Sequence, residues 1–481
     1  GAWHNIVAVY DGTKQLFYID NLLISSTPAT GSLSKNTNTI KIGAGFNGQI
    51  DNVNIFDRGL TAGDVQDLYN KYNQAPRSGP RTYYISSSLG NDSNDGLTTG
   101  TAWKSLDKLY QVQFMPNMIL PGDQILFKRG DTWEGQVKLE HFGVKGGAPI
   151  TFGAYGASNE AKPIIYGDGR NITWKPVPAY PGVYEANIGL AGNIGEVYEN
   201  NTKYVESQAV GGVYSISAGQ WGKLPNGRSD LIWVRTKDGN SPSNIRMFRE
   251  GVFYISDSNN IIIENFDIRE AISAVYASGS DSIVVRNFDI KNTLSTAISF
   301  IYSTNNSIME NNKIENVGNS TVYLSYKSSN NIIRNNTLTG AVDTVSGIDV
   351  RGGDDQAVGL HTGKGNIVEY NTIRGTAIDY YFEDDSIVRY NYLENAGIYP
   401  HGSNNIVYGN IVNGLGKIPA SNSASTGALP NKIFNNTFYN FGDYGLMSSL
   451  GGVIRNNIVY ANGAGGLVVF NDKTKPVDSD Y

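Results

Sequence analysis

Cysteine is absent from the 481 residues, so neither disulfides nor thiolate metal sites hold this chain together. Histidine is scarce, with four residues, and no His/Cys cluster shows metal-ligand spacing. Charged residues amount to 17% against 40% hydrophobic, a balance that excludes a disordered polyelectrolyte. No signal peptide, lipidation motif or membrane-spanning run is visible. Phosphate-cradling glycine loops and nucleophile elbows are also missing. The formal net charge is −6, which argues against nucleic acid, since that partner needs a clustered basic footprint. An acidic body with a local basic strip still suits an anionic polysaccharide.

What is abundant is equally informative. The chain holds 56 Gly and 30 Tyr, and its second half is rich in Asn. Gly and Asn favour tight turns, whereas Tyr favours strands and sugar-stacking surfaces. The length allows two or three cores. An all-β protein with many corners is expected. It opens at Gly1 within a strand-like pattern, as a mature protein or a fragment lacking its start would. Cysteine-free and glycan-suited, it is expected to be secreted or at the surface of a bacterial or archaeal cell.

Residues 1–74 alternate in the β manner, with Ile6-Val7-Ala8-Val9-Tyr10, a turn at Asp11-Gly12, then Leu16-Phe17-Tyr18-Ile19. A later block runs from Phe46 through Gln49-Ile50-Asp51 and Val53-Asn54-Ile55-Phe56 to Asp64-Val65-Gln66-Asp67-Leu68-Tyr69. The W-H-x-V-x-V-Y-D-G and G-x-I-D-x-V-x-I-F-x-R-x-L stretches resemble the second half of a laminin-G-like, concanavalin-A-type sandwich. That resemblance implies a partial β-sandwich (jelly-roll) module that binds glycans or serves as a spacer. Residues 75–80 are a Pro/Gly linker. A second domain, 81–481, opens with Tyr83-Tyr84-Ile85-Ser86, an Asp-rich turn at Asn91-Asp92-Ser93-Asn94-Asp95-Gly96, and Pro121-Gly122-Asp123-Gln124-Ile125-Leu126-Phe127. This opening resembles that of pectate-lyase-like β-helix proteins. The turn either binds Ca²⁺ or is a tight loop.

From residue 259 the chain repeats itself, after less regular coils with insertions over 81–258. The unit reads I-I-E-N-F-D-I, I-V-V-R-N-F-D-I, I-M-E-N-N-K-I, I-I-R-N-N-T-L and onward, with anchors at Phe266, Phe288, Asn312, Asn336, Asn371, Asn391, Asn410, Asn436 and Asn457. Most anchors recur every 19–26 residues, one turn of a right-handed parallel β-helix. Stacked Asn at one corner would share amide hydrogen bonds from coil to coil. One step is longer: Asn336 to Asn371 takes 35 residues. An insertion in one coil usually builds a rim on the binding face.

A second repeat sets the register of the neighbouring strand: Ala297-Ile298-Ser299-Phe300, Thr321-Val322-Tyr323-Leu324, Gly347-Ile348-Asp349-Val350, Ala377-Ile378-Asp379-Tyr380 and Gly397-Ile398-Tyr399-Pro400. With the apolar residue inward, the alternate position faces out. Stacking then predicts an outward column of Ser299, Tyr323, Asp349, Asp379 and Tyr399. Beside it run Ile301, Ser325, Arg351, Tyr381 and His401, with Lys327 and Glu383 at the edge. Coils lie about 4.8 Å apart, so Asp349 and Asp379 form a close carboxylate pair. Such a pair shares a proton, binds a cation or pairs with a neighbouring base, and so marks a candidate site. The competing explanation is a surface salt-bridge ladder.

Two chemistries fit. Asp349 and Asp379 act on a glycosidic bond, with Glu383, Asp354 and Asp355 in reserve. Alternatively, a base abstracts the proton beside a uronate carboxylate, Lys327 or Arg351 moves it, and carboxylates hold Ca²⁺. The segment Ser325-Tyr326-Lys327-Ser328 with Arg334-Asn335-Asn336-Thr337, followed by Arg351-Gly352-Gly353 and Glu383-Asp384, is similar to the alginate lyase and chondroitinase B family. That resemblance implies Lys327 as base and Arg351 as acid. The chain departs from it where Asp379 stands in place of a basic residue and where no acidic calcium ligand appears near Val322. Tyr323, Tyr381, Tyr399, His401 and His361 are the expected substrate contacts. Asp354 and Asp355 are the expected metal ligands beside this face, for Ca²⁺, and no other cofactor is implied.

The sequence thus points to an extracellular polysaccharide-cleaving enzyme, a glycoside hydrolase or a uronate-specific lyase. Its rival is a non-catalytic adhesin or fibre component that binds cell-surface glycan.

Overall fold

The computed structural model describes residues 4–31, 59–72, 79–113, 118–169, 172–188, 194–200, 202–207, 216–223, 231–249, 251–341, 348–351, 363–375, 377–414, 421–422, 429–441, 446–448, 452–460, 467–469 and 477–480, with single positions at 45, 48, 53 and 56. At 348–351, 380–383 and 401, among others, it describes the backbone alone. The chain divides into two compact units, Gly1–Gly79 with Phe114–Ile119, and Pro80–Gln113 with Leu120–Tyr481.

In the first unit, strands Ile6–Tyr10, Lys14–Ile19 and Leu22–Pro28 pair antiparallel. The first hairpin turns where Asp11 Oδ1 accepts the N–H groups of Thr13 (2.8 Å) and Lys14 (2.7 Å), an Asx turn that Gly12 completes at φ +92°. The alternation expected to continue through residues 64–69 gives way to a helix, Ala62–Tyr72. Its start is a reciprocal cap: Thr61 N–H donates to Asp64 Oδ2 (2.7 Å), and Asp64 N–H donates to Thr61 Oγ1 (3.1 Å). Val65 and Leu68, one turn apart, pack with Val9, Tyr18 and Leu60. Capping and this spacing overrode the apparent period of two.

The second unit is the β-helix. Among the described residues its coils form parallel sheets of thirteen, eleven and eight strands. The eight-stranded sheet runs from Val137–Glu140 through Phe253–Ser256, Val275–Ser278, Ile298–Ile301, Val322–Leu324, Ile348–Arg351 and Ile378–Asp384 to Ile398–Ser403. The first regular coil directs its apolar positions inward: Ile261, Ile263, Phe266, Ile268, Val275 and Ala277 are wholly buried. A single coil leaves half of each such side chain in water, so burial requires the next coil.

The Asn repeat performs the expected corner role. Asn336 N–H and Nδ2 both donate to Asn371 Oδ1 (2.9 Å each), and Asn371 donates in the same way to Asn391 Oδ1 (2.9 and 3.0 Å). The ladder continues through Asn410 and Asn436 to Asn457. The residue before each ladder Asn has positive φ: Asn311, Asn335, Tyr370, Tyr390, Gly409, Asn435 and Asn456. Gly and Asn tolerate that geometry, which explains their abundance. On the thirteen-stranded sheet, acids and bases alternate coil by coil. Arg286 Nε donates to Glu264 (2.6 Å), Arg334 Nε to Glu310 (2.8 Å) and Arg389 Nε to Glu369 (2.7 Å). Arg334, part of the lyase-like segment, therefore serves in an ion-pair ladder.

Between the early and regular coils, Asp168–Arg249 contributes a largely antiparallel sheet of its own. Trp221, Tyr204, Val197, Ile232 and Met247 form its core. The sequence pattern over this stretch shows only irregular coils. The Asp-rich turn near residue 92 is a tight loop. Asp92 Oδ1 accepts the N–H groups of Lys104 (2.8 Å) and Ser105 (2.9 Å), and Asp95 Oδ1 accepts from Leu97 N–H and Thr101 Oγ1. Among the described residues no cluster of His, Asp and Glu suits a metal ion.

Candidate active site on the eight-stranded sheet

Backbone register builds this site. Ser299 pairs with Tyr323, Tyr323 with Asp349, Asp349 with Asp379, and Asp379 with Tyr399. The column expected from the short repeat is therefore in register at every step. Beside it, Arg351 pairs with Tyr381 and Tyr381 with His401. Parallel β pairing keeps such positions about 4.8 Å apart.

Asp379 is half-buried, and its Oδ1 is sealed from solvent. Burial, reinforced by the negative charge of Asp379, pushes the Tyr399 phenol above its ordinary value. The phenol therefore stays neutral at physiological pH and is a hydrogen-bond donor beside the carboxylate.

Other expected residues fall differently. Ser299, Ile301 and Ser325, expected to face outward, are only 6%, 6% and 2% exposed. Strand Val322–Leu324 ends one residue before Ser325, whose carbonyl accepts the Ser328 hydroxyl at 2.8 Å, so alternation no longer governs it. Lys327 is exposed and lies off the strand, at a corner where Tyr326 and Lys327 have φ of 51° and 68°. Glu383 falls in a register shift between Tyr381 and Asp384, a bulge one coil below Ser403. Bulges re-aim side chains and are common beside active sites. The side chains of Asp349, Arg351, Tyr381, Glu383 and His401 lie outside what is described, as do residues Asp354, Asp355 and His361 altogether.

The column also extends beyond Ser299 toward the start of the sheet. Lys138 pairs with Tyr254, Tyr254 with Tyr276, and Tyr276 with Ser299. The Tyr254 and Tyr276 rings stack at 5.3 Å and 9°, and Lys138 Nζ lies 5.9 Å from the Tyr254 centroid. Ala274-Val275-Tyr276-Ala277 carries the same small-apolar-variable-apolar signature as the later coils, so the extension was detectable. A cavity of about 440 Å³ opens at Tyr276, Ser299, Ile301 and Tyr323.

Among known proteins, residues 1–66 match the concanavalin A-like lectin/glucanases superfamily, and residues 250–417 match the right-handed β-helix region. A lacto-N-biosidase of Bifidobacterium longum subsp. longum is 27% identical over 212 residues, which cover 40% of this chain and 12% of that protein. The chain thus spans about an eighth of the curated relative it matches. Among solved structures, a lacto-N-biosidase from Eubacterium ramulus is similar with a TM-score of 0.47 and 15% identity, covering 85% of this chain and 70% of that one. An alginate lyase from Paenibacillus sp. gives 0.41 and 14%, covering 80% and 97%. The protein is an all-β chain in which a concanavalin A-like segment precedes a right-handed parallel β-helix.

Proposed function

We propose that this chain is part of a secreted enzyme that cleaves glycosidic bonds on the eight-stranded sheet, with Asp349 and Asp379 as the reacting carboxylates. The observation that carries this reading is their pairing on adjacent strands between Tyr323 and Tyr399. A strand spacing of about 4.8 Å matches the roughly 5–5.5 Å between the carboxyls of retaining glycosidases. Tyrosines on both sides suit the apolar faces and hydroxyls of sugar rings. The 27% identity to a lacto-N-biosidase over 212 residues is a second, independent support.

In the hydrolytic mechanism, Asp379 is the acid, because its sheltered Oδ1 suits the uncharged form. It gives its proton to the leaving oxygen while Asp349 attacks the anomeric carbon and forms a glycosyl ester. Asp379 then takes a proton from water, which hydrolyses the ester and restores both carboxyls. Tyr399, a neutral phenol, stands beside Asp379 on the next strand. Arg351, Tyr381 and His401 on the parallel row hold the substrate, with Glu383 on the bulge and His361 as further contacts. Hydrolysis is preferred to elimination because Lys327 is off the strand in a left-handed corner. Calcium at Asp354 and Asp355 belongs to the elimination alternative.

The test is incubation of the protein with neutral and uronate-containing glycans, following new reducing ends and the ultraviolet absorbance of unsaturated ends. Reducing ends alone, with retained anomeric configuration by NMR, are the expected result. Unsaturated ends would transfer the chemistry to Lys327 and Arg351. Binding without any product would make the chain an adhesin.

A further inference from the structure

The cavity beside Ser299 is built differently from the acidic part of the cleft. Ser273, Thr296, Ser299 and Ser320 line it and are 6%, 8%, 6% and 1% exposed. The rings of Tyr276 and Tyr323 complete its floor. One side is walled by turns that follow the eleven-stranded sheet, at Ile272-Ser273, Ser295-Thr296 and Asn319-Ser320, and these turns stack in contact. A Cβ added at Gly318 would lie 2.2 Å from the Leu294 carbonyl oxygen, so the wall admits only glycine there. Among the described residues, none lining the cavity is an acid or a base.

Those features constrain the occupant. A volume of about 440 Å³ lies within the roughly 300–1,000 Å³ of small-molecule sites. Sheltered hydroxyls match a ligand with many hydroxyl groups, and tyrosine rings match its C–H faces. A carboxylate entering the cavity would lose water and meet no cation among the described lining residues, a cost its hydroxyls do not offset. Tyr323 adjoins Asp349, and Tyr276 is two further strands along the same column. At about 4.8 Å per strand, a short oligosaccharide reaches from this cavity to the aspartates.

We propose that Tyr276, Ser299 and Tyr323 form a subsite for an uncharged sugar unit, upstream of the carboxylate pair, so that the enzyme selects neutral glycans over uronates. The proposal rests on the glycan-cleaving reading above and names its substrate class.

The experiment uses the full chain carrying Asp379→Asn, which removes turnover, on an array of neutral and uronate-containing oligosaccharides. Binding to neutral members only is expected. On the best neutral binder, Ser299→Tyr fills the cavity and Tyr276→Ala removes one wall of its floor. Each should weaken binding about tenfold or more, equivalent to about 1.4 kcal/mol. Tyr276→Ala, at a half-buried position, guards against misfolding of the Ser299 variant, and circular dichroism checks both. Preference for uronates, no binding to any oligosaccharide, or unchanged affinity in both folded variants would overturn the subsite. The two proposals fail separately. Neutral binding that these variants weaken, with no turnover by the unsubstituted chain, would leave the subsite and remove catalysis. Turnover of a neutral glycan with KM unchanged in both variants would do the reverse.

Discussion

Tyr399 pairs with Asp379 across neighbouring strands, and the carboxylate charge adds to burial in raising the phenol. That relationship sets a carboxylate and a neutral phenol side by side in one column of the sheet.

Asp349→Asn and Asp379→Asn should each lower kcat by 10²-fold or more, within the range of about 10²–10⁴ for general acid–base groups, with far-ultraviolet circular dichroism unchanged. Steady-state kinetics on the best substrate would check this. Tyr399→Phe, which removes a donor and leaves the ring, should cost less than either.

Asn371→Ala should be among the most damaging corner substitutions. Its amide donates to the Ile333 and Glu369 carbonyls and to Asn391 Oδ1, and its Oδ1 accepts from Asn336. At about 1 kcal/mol net per bond, with penalties for stranded partners, a loss of about 2–4 kcal/mol is expected by urea denaturation.

Two ion pairs should behave oppositely. Glu369 is 8% exposed and held by Arg389 Nε at 2.7 Å, so Arg389→Met strands a sheltered carboxylate and costs about 3 kcal/mol. Arg374 and Glu394 form an exposed pair at 3.0 Å, and Arg374→Ala should cost less than about 1 kcal/mol. Paired urea titrations would separate the two.

The antiparallel insert should loosen in alkali. Burial, then the hydrogen bond to Glu196, pushes the Tyr198 phenol up to about 12, and Tyr204 beside Glu199 is raised for the same reasons. Because the folded value exceeds the unfolded one near 10, the folded state holds its proton more tightly. Stability from these groups is complete below about pH 10 and declines as pH rises through 12. Tyr198→Phe should flatten that decline, as followed by urea melts and tyrosinate absorbance between pH 9 and 12, a window set by these values.

The solenoid was legible because one coil cannot bury its own face, so the same inward pattern must recur at Ile263, Val285, Met309 and Ile333, with Asn at the corner from Asn312 onward. The acidic column was legible for the same reason, since alternation fixes which positions leave the core. Legibility ended where alternation ended. Ser325 turned inward once its strand stopped, and Lys327 left the sheet at a left-handed corner. The helix Ala62–Tyr72 was hidden because its short apolar pattern also fits a strand, and the cap between Thr61 and Asp64 decided the matter.

From sequence alone come the β-helix, its corner ladder and the column holding Asp349 and Asp379, because periodicity is a local property repeated along the chain. Only the tertiary structure decided that Lys138 and Tyr254 join the column, that the turns near Leu294 and Gly318 stack beside a cavity at Ser299, and that Asp168–Arg249 folds as a sheet of its own. These depend on which segments touch across coils, and contact between distant segments is set by packing rather than by any pattern along the chain.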